Sequence, residues 1–201
     1  SQPPAALLRL APALQLSLRG TSCIYQGEEL GLPESAVAYA DMQDPYGITM
    51  WPEFKGRDGC RTPMAWDSTA ADLGFGSGER RAWLPLDDAH RPYAVDRQQA
   101  QAGSLLRYYR HLLHWRRGPP ALIHGDMELW PVHDQVLAYV RSHGKHRVLC
   151  AFNLSGRHAT LPLPPGIAAP TILEDSGVTG ASVSAVALAF EPWGALYARL
   201  A

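Results

Sequence analysis

No stretch of the 201 residues is apolar over the about 20 positions that a membrane-spanning helix requires. No secretory leader is legible either. Cysteine is scarce, with Cys23, Cys60 and Cys150 the only three. An odd, sparse set is a poor disulfide framework, and without a Cys-x-x-Cys pair it offers no thiolate zinc site. Buried free thiols in a reducing, cytoplasmic compartment are the simplest reading. Neither sign of charge dominates: 18 basic against 19 acidic residues leave a net charge of −1. That balance argues against a nucleic-acid or membrane partner. The eight histidines form no His-x-x-x-His with a following carboxylate. No metal and no cofactor are therefore expected, and His111 and His114 read as a solvated helix face.

What the sequence does have is apolar residues, 46% of the total, enough for one large domain or two smaller ones. Leu7, Leu10, Leu14 and Leu18 repeat at helical spacing, predicting a helix from Pro4 to Leu18. Pro12 should kink or split it, and Gly20 should close it. The chain begins at Ser1 inside this helix, which is read as a sign that an earlier part is missing. Ser22–Gln26 reads as a buried strand ending at Gly27. A long irregular stretch then runs to about residue 96, with Trp51, Trp66 and Trp83 in it and room for a short helix near Pro33–Ala40. A stretch of that length is unusual unless it serves a function. Ala100–Arg117 is the clearest helix, stopped by Gly118-Pro119-Pro120.

Beyond residue 120 the period changes from helical to alternating. Val136, Ala138 and Val140 alternate with Gln135, Tyr139 and Arg141, and Val148, Cys150, Phe152 and Leu154 repeat the pattern after a turn at Gly144. With further strands at Val183–Leu188 and Ala195–Leu200, residues 119–201 read as a small antiparallel β-domain. Residues 1–118 form the α/β part before it.

The chemistry-bearing residues lie in the irregular stretch. Gln26, Glu28 and Glu29 sit at the carboxyl end of the expected strand, where α/β folds bind ligands. Adjacent residues on a strand point to opposite faces, so Glu28 and Glu29 are poorly placed to flank one bond. One of them pairing with an arginine to brace the loop is the plainer reading. "GRDGCRTPMAWD", Gly56–Asp67, brings Arg57 and Arg61 among carboxylates. A guanidinium fork suits vicinal hydroxyls or a carboxylate. Trp51, Phe54 and Trp66 add flat surface on which sugar rings stack. Composition alone leaves this loop balanced between a self-braced connector and a site.

"GTSCIYQGEELGL" at Gly20–Leu32, followed by "GRDGCRTPMAWD", closely resembles bacterial α-glucosidases and oligo-1,6-glucosidases of the α-amylase clan, family thirteen of the glycoside hydrolases. "WPEFKGRDG", "WLPL", "CAFNLS" and "EPWGALYARL" extend the likeness over essentially the whole chain. Ala65 departs from it, since many relatives carry glutamine there. The resemblance implies the last βα unit of a (β/α)8 barrel followed by an antiparallel β-sandwich. It implies that Ser22–Glu29 is the eighth strand and Ala100–Arg117 the eighth helix. It also implies that the catalytic aspartate and glutamate precede Ser1, so that this chain by itself is inactive and the missing N-terminal barrel of the same protein is its partner. Of the substrate site it would keep Arg57, which in such enzymes reaches hydroxyls of the terminal glucose, and Glu34, facing the second sugar. Glu28, Glu29, Asp58, Arg61 and Trp66 would brace the site, with Trp66 packed beneath. The implied activity is retaining hydrolysis of short α-glucosides. The alternatives are trehalose synthase, isomaltulose synthase, sucrose hydrolase and a non-catalytic homologue. A stand-alone carbohydrate-binding piece would need an aromatic platform, for which Trp130 and Trp193 are the candidates.

Overall fold

The computed structural model describes residues 3–76 and 81–201. Its α-helices are α1 Ala5–Ser17, α2 Pro45–Thr49, α3 Val95–Ala100, α4 Leu105–Trp115 and α5 Pro120–His124. Its strands are β1 Asp126–Leu129, β2 Val136–His143, β3 His146–Asn153, β4 Ala159–Pro162, β5 Thr171–Ile172, β6 Ala181–Val183, β7 Ala187–Phe190 and β8 Ala195–Arg199. The chain divides into two compact units. One comprises Ser1–Cys23 with Tyr108–Ala201, and the other comprises Ile24–Arg107.

The first unit is built on a five-stranded antiparallel sheet in the order β1-β2-β3-β8-β5 and a three-stranded one in the order β4-β7-β6. β2 and β3 form a hairpin with His143 opposite His146, and Gly144 takes the positive φ that the tight turn requires. Val136, Ala138, Val140, Leu149, Ala151, Leu196 and Ala198 form one side of the core, and Ala159, Leu161, Leu188 and Phe190 the other. The expected strand Val183–Leu188 is in fact the end of β6, a turn and the start of β7.

The second face of the larger sheet departs from a half-buried pattern. Tyr139, Arg141, Cys150, Phe152 and Tyr197 are as deeply buried as the core residues. α1 and α5 pack on that face. The Tyr139 hydroxyl and Ser17 Oγ are 2.7 Å apart, the Tyr197 hydroxyl donates to the Ala13 carbonyl, and Trp115 stacks on Tyr197 at 5.4 Å. Arg141 donates to the carbonyls of Ser17 (2.6 Å), Gly125 (2.9 Å), Leu122 (3.3 Å) and Asp126 (3.3 Å). Its guanidinium thereby caps the carboxyl ends of α1 and α5, where carbonyls lack helical partners. The period-2 pattern is correct, and the side that carries Tyr139 and Arg141 is a second interior.

α1 is continuous through Pro12, against the expectation of a kink or split. It ends at Ser17 with Leu18 extended, and Gly20 comes one residue too late to be its left-handed cap. Ser22–Gln26 forms no strand and pairs with none among the described residues, and none of its side chains is buried. A strand takes its stability from ladder partners on either side, and a parallel barrel strand without neighbours has none. Of the thiols read as buried, only Cys150 is; Cys23 and Cys60 are exposed.

In the second unit, short α- and 3-10 helices are strung on loops around Leu30, Met64, Val95 and Leu106, with Ala65, Leu73 and Ala94 as a second small cluster. Pro33–Ala38 is non-helical; the helical turns lie at Tyr39–Asp41 and in α2. The expected helix from Ala100 begins only at Leu105. Buried Gln98 explains the break. Its amide donates to the Leu30 carbonyl (2.7 Å), its side-chain oxygen takes the Leu106 N–H (3.0 Å), and its own carbonyl accepts from Ser104 Oγ (2.6 Å). It satisfies a first-turn amide of α4 that no helical carbonyl can reach.

Candidate functional site

The irregular stretch is organised by a buried carboxylate that the sequence reading passed over. Asp44 precedes Pro45 and caps α2, its Oδ1 accepting the Tyr46 N–H at 3.2 Å. Aspartate before a proline at the first helical position is an N-terminus signal, and it was available in the sequence. Asp44 Oδ2 accepts both the Arg57 backbone N–H (2.9 Å) and Arg57 Nε (3.0 Å), while Arg61 Nη1 stands 3.9 Å away. The Arg57 hydrogen bond holds the Asp44 carboxyl below its ordinary 3.8, against the opposing effect of burial. It also raises the Arg57 guanidinium. Arg57 is thus fixed at its inner nitrogens, and its side chain remains 57% exposed. Its Nη groups have no hydrogen-bond partner among the described residues.

Asp58 is fully buried and braces the same turn. Its Oδ2 accepts the backbone N–H groups of Gln43 (2.6 Å) and Asp44 (2.7 Å), and its Oδ1 has no partner. Arg61 is held through its own N–H on the Asp58 carbonyl (2.9 Å) and remains 31% exposed at its side chain. The backbone here is too close for side chains. A Cβ on Gly59 would lie 2.4 Å from the Ser35 carbonyl oxygen, and one on Gly47 would lie 2.8 Å from that of Lys55.

Glu34, exposed, lies against Gly59 and lines a pocket of about 240 Å³ together with Tyr25, Glu28, Cys60, Thr62 and His90. Arg57 does not line it, although Cys60 Sγ donates to the Arg57 carbonyl at 3.1 Å. Glu28 and Glu29 make local backbone contacts, not the arginine pairing that was expected of one of them. Glu28 Oε2 accepts the Tyr25 N–H (3.1 Å) and Glu29 Oε2 the Gly27 N–H (3.0 Å). Trp66 is 49% exposed, and its hydrogen bonds are backbone ones to Leu73 and Asp96.

His90 is the other residue the reading missed. It is buried, and Nε2 donates to the Pro33 carbonyl at 2.7 Å, with Ser35 Oγ at 3.2 Å; Nδ1 has no partner. Ser35 Oγ in turn lies 3.2 Å from Thr62 Oγ1. No local sequence signal marks this contact, which joins positions 55 and more residues apart.

The aromatics divide between the units. Tyr25, Tyr39, Tyr46, Trp51, Phe54, Trp66, Phe75 and Trp83 are exposed and all lie in the second unit, with Tyr39 and Trp51 tilted against each other at 5.6 Å. Trp130 and Trp193, the candidates for a platform on the β-domain, are half-buried, and Trp130 packs against the sandwich core. Among the described residues, no group of three or more metal-ligating side chains comes together. No helix among the described residues is long and apolar enough to cross a membrane.

Residues 4–125 match the family model described as the α-amylase catalytic domain, and residues 127–196 match the maltogenic amylase C-terminal domain. A probable α-glucosidase of Rhizobium meliloti is 46% identical over 96% of this chain and 34% of its own length. A probable oligo-1,6-glucosidase of Bacillus subtilis is 29% identical over 75% of the chain and 31% of its own length. Among solved structures, an α-glucosyl transfer enzyme superposes over the whole chain with a TM-score of 0.90 at 44% identity, covering 37% of that protein. The trehalulose synthase of Pseudomonas mesoacidophila follows at 0.81 and 25%, over 98% of this chain and 38% of the synthase. The chain thus spans about a third of the length of the curated relatives it matches.

Proposed function

The chain belongs to the α-amylase family, and from that premise we propose that it is the C-terminal portion of a retaining α-glucosidase acting on short α-glucosides. The catalytic carboxylates would come from the remainder of the barrel, through a covalent glucosyl intermediate. Residues 1–118 would complete that barrel and 119–201 form the β-sandwich domain. We assign Arg57 to hydroxyls of the bound glucose, Glu34 to the next sugar, and Asp58, Arg61, Glu28, Glu29 and the backbone of Trp66 to bracing. The observation that carries this reading is the Asp44–Arg57 pair: a buried carboxylate fixes the inner nitrogens of an arginine whose outer fork is left exposed. A self-braced connector would be expected to spend the whole fork internally. The exposed free thiols Cys23 and Cys60 fit a cytoplasmic location.

The test is kinetic and uses the intact protein with p-nitrophenyl α-glucoside. Arg57→Ala removes charge-assisted hydrogen bonds and is expected to lower kcat/KM by about 10- to 150-fold, with Arg57→Lys recovering only part of it. A change below threefold would remove Arg57 from the substrate site. A second reading, glucosyl transfer, is favoured by the 44% identity to an α-glucosyl transfer enzyme. It predicts that an added alcohol or sugar diverts the glucosyl group from water to the acceptor.

A further inference from the structure

The first unit carries a larger cavity, about 370 Å³, that has no part in the site above. Its lining includes Trp115, Lys145, Arg147, Leu173, Asp175 and Arg199. Arg199 stands opposite Val148, and Tyr197 opposite Cys150. Residues two apart on a strand share a face, so Arg199 lies on the helix-covered side, where Trp115 stacks on Tyr197. The cavity therefore continues an indole-bearing apolar surface out to a cationic end. Lys145 enters from the β2–β3 turn. Arg147 spends part of its fork on the Ala201 carbonyl at 3.2 Å. Among the described residues, neither Lys145 nor Arg199 has an ion-pair partner. Three cations and one carboxylate, that of Asp175, thus line a concavity within the size range of small-molecule sites, about 300–1,000 Å³. A cleft lined mainly by one sign concentrates ions of the other.

We propose that this cavity binds a phosphorylated monosaccharide. Lys145 and Arg199 take the phosphate, for which a charged fork and an ammonium are suited. The indole of Trp115 takes the apolar face of the ring, and the Asp175 carboxylate accepts from a ring hydroxyl. This assignment does not depend on the glucosidase reading.

Calorimetry on the intact protein at low ionic strength tests it, with glucose 6-phosphate, orthophosphate and glucose as titrants. Glucose 6-phosphate is expected to bind, with orthophosphate at least threefold weaker and glucose without effect at this site. The double variant Lys145→Gln, Arg199→Gln changes two exposed side chains and should weaken glucose 6-phosphate binding at least tenfold while leaving thermal unfolding unchanged. Absence of glucose 6-phosphate binding at millimolar concentration would overturn the proposal. So would binding that survives the double variant but is lost with Arg57→Ala, which would place the ligand in the glucoside site instead. Orthophosphate binding as tight as glucose 6-phosphate would reduce the cavity to a simple anion site and refute the role of Trp115.

Discussion

Replacing Arg141 by methionine keeps an unbranched apolar stem, shorter than the arginine, and removes every donor. Four carbonyls then lose a partner, two of them held at 2.6 and 2.9 Å and two at 3.3 Å. Only the two shorter bonds have favourable length, and a hydrogen bond from a charged donor contributes about 1.5–3 kcal/mol. Their loss, with that of a cation at two helix carboxyl ends, would sum to more than is expected in practice, because methionine also removes the cost of desolvating the guanidinium. A net loss of about 3–4 kcal/mol follows, in the range found when a buried charge loses its setting. Native-state hydrogen exchange of the β2 and β3 amides should accelerate by roughly several hundredfold. The thermal transition of this unit should fall by about 10 °C. Arg141→Lys keeps the charge but cannot reach both helix ends, so it should lose about half as much. Unchanged or slower exchange in Arg141→Met would refute the reasoning: the apolar replacement would then be as good as the capped arginine, and the carbonyls would be satisfied without it.

Gly59→Ala drives a methyl into the Ser35 carbonyl and should abolish activity through collapse of the Arg57 turn, whereas Gly103→Ala, with nothing within 4 Å, should change stability by less than about 0.5 kcal/mol. In this chain on its own, Ellman's reagent at pH 8 should titrate Cys23 and Cys60 in the folded state and Cys150 only after denaturation, because burial pushes Cys150 up to about 12; a reactive Cys150 in the folded chain would contradict this. Asp44 has a folded-state pKa below its unfolded value of 3.8, so its contribution to stability is full above that value and lost as pH falls through the folded one. Asp44→Asn should therefore narrow the gap in stability between neutral pH and pH 3, and should lower kcat/KM by releasing Arg57. An unaltered acid profile would show that the pair adds nothing to stability.

The parts of the fold legible from sequence were those governed by local period. α1 follows its leucines, and the β2–β3 hairpin follows its alternation and Gly144. What local period cannot report is what covers a face. Tyr139 and Arg141 carry polar tips, and their polar atoms meet helix ends brought in from residues 13–17 and 122–126. Pro12 failed to break α1 because the buried side of that helix is fixed by such distant contacts. In the candidate site, Arg57 and Asp58 stood out by residue type and company, and Glu34 only through the family resemblance. Asp44 was marked at most as a helix start before Pro45 and His90 not at all, since the partners that matter lie 13 and 57 positions away. Ser22–Gln26 shows the opposite error, a pattern read as a strand whose neighbours are not in the chain.

The Tyr197–Ala13 hydrogen bond joins positions 184 residues apart, and β8 lies between β3 and β5 in the sheet. Translation at about 5–20 residues per second separates the emergence of those two residues by roughly 10–40 s. β2 and β3 emerge earlier in that interval, and Tyr139 and Arg141 of β2 also meet α1. The side of α1 that takes the Tyr197 hydroxyl is therefore the last part of this interior to find its partner.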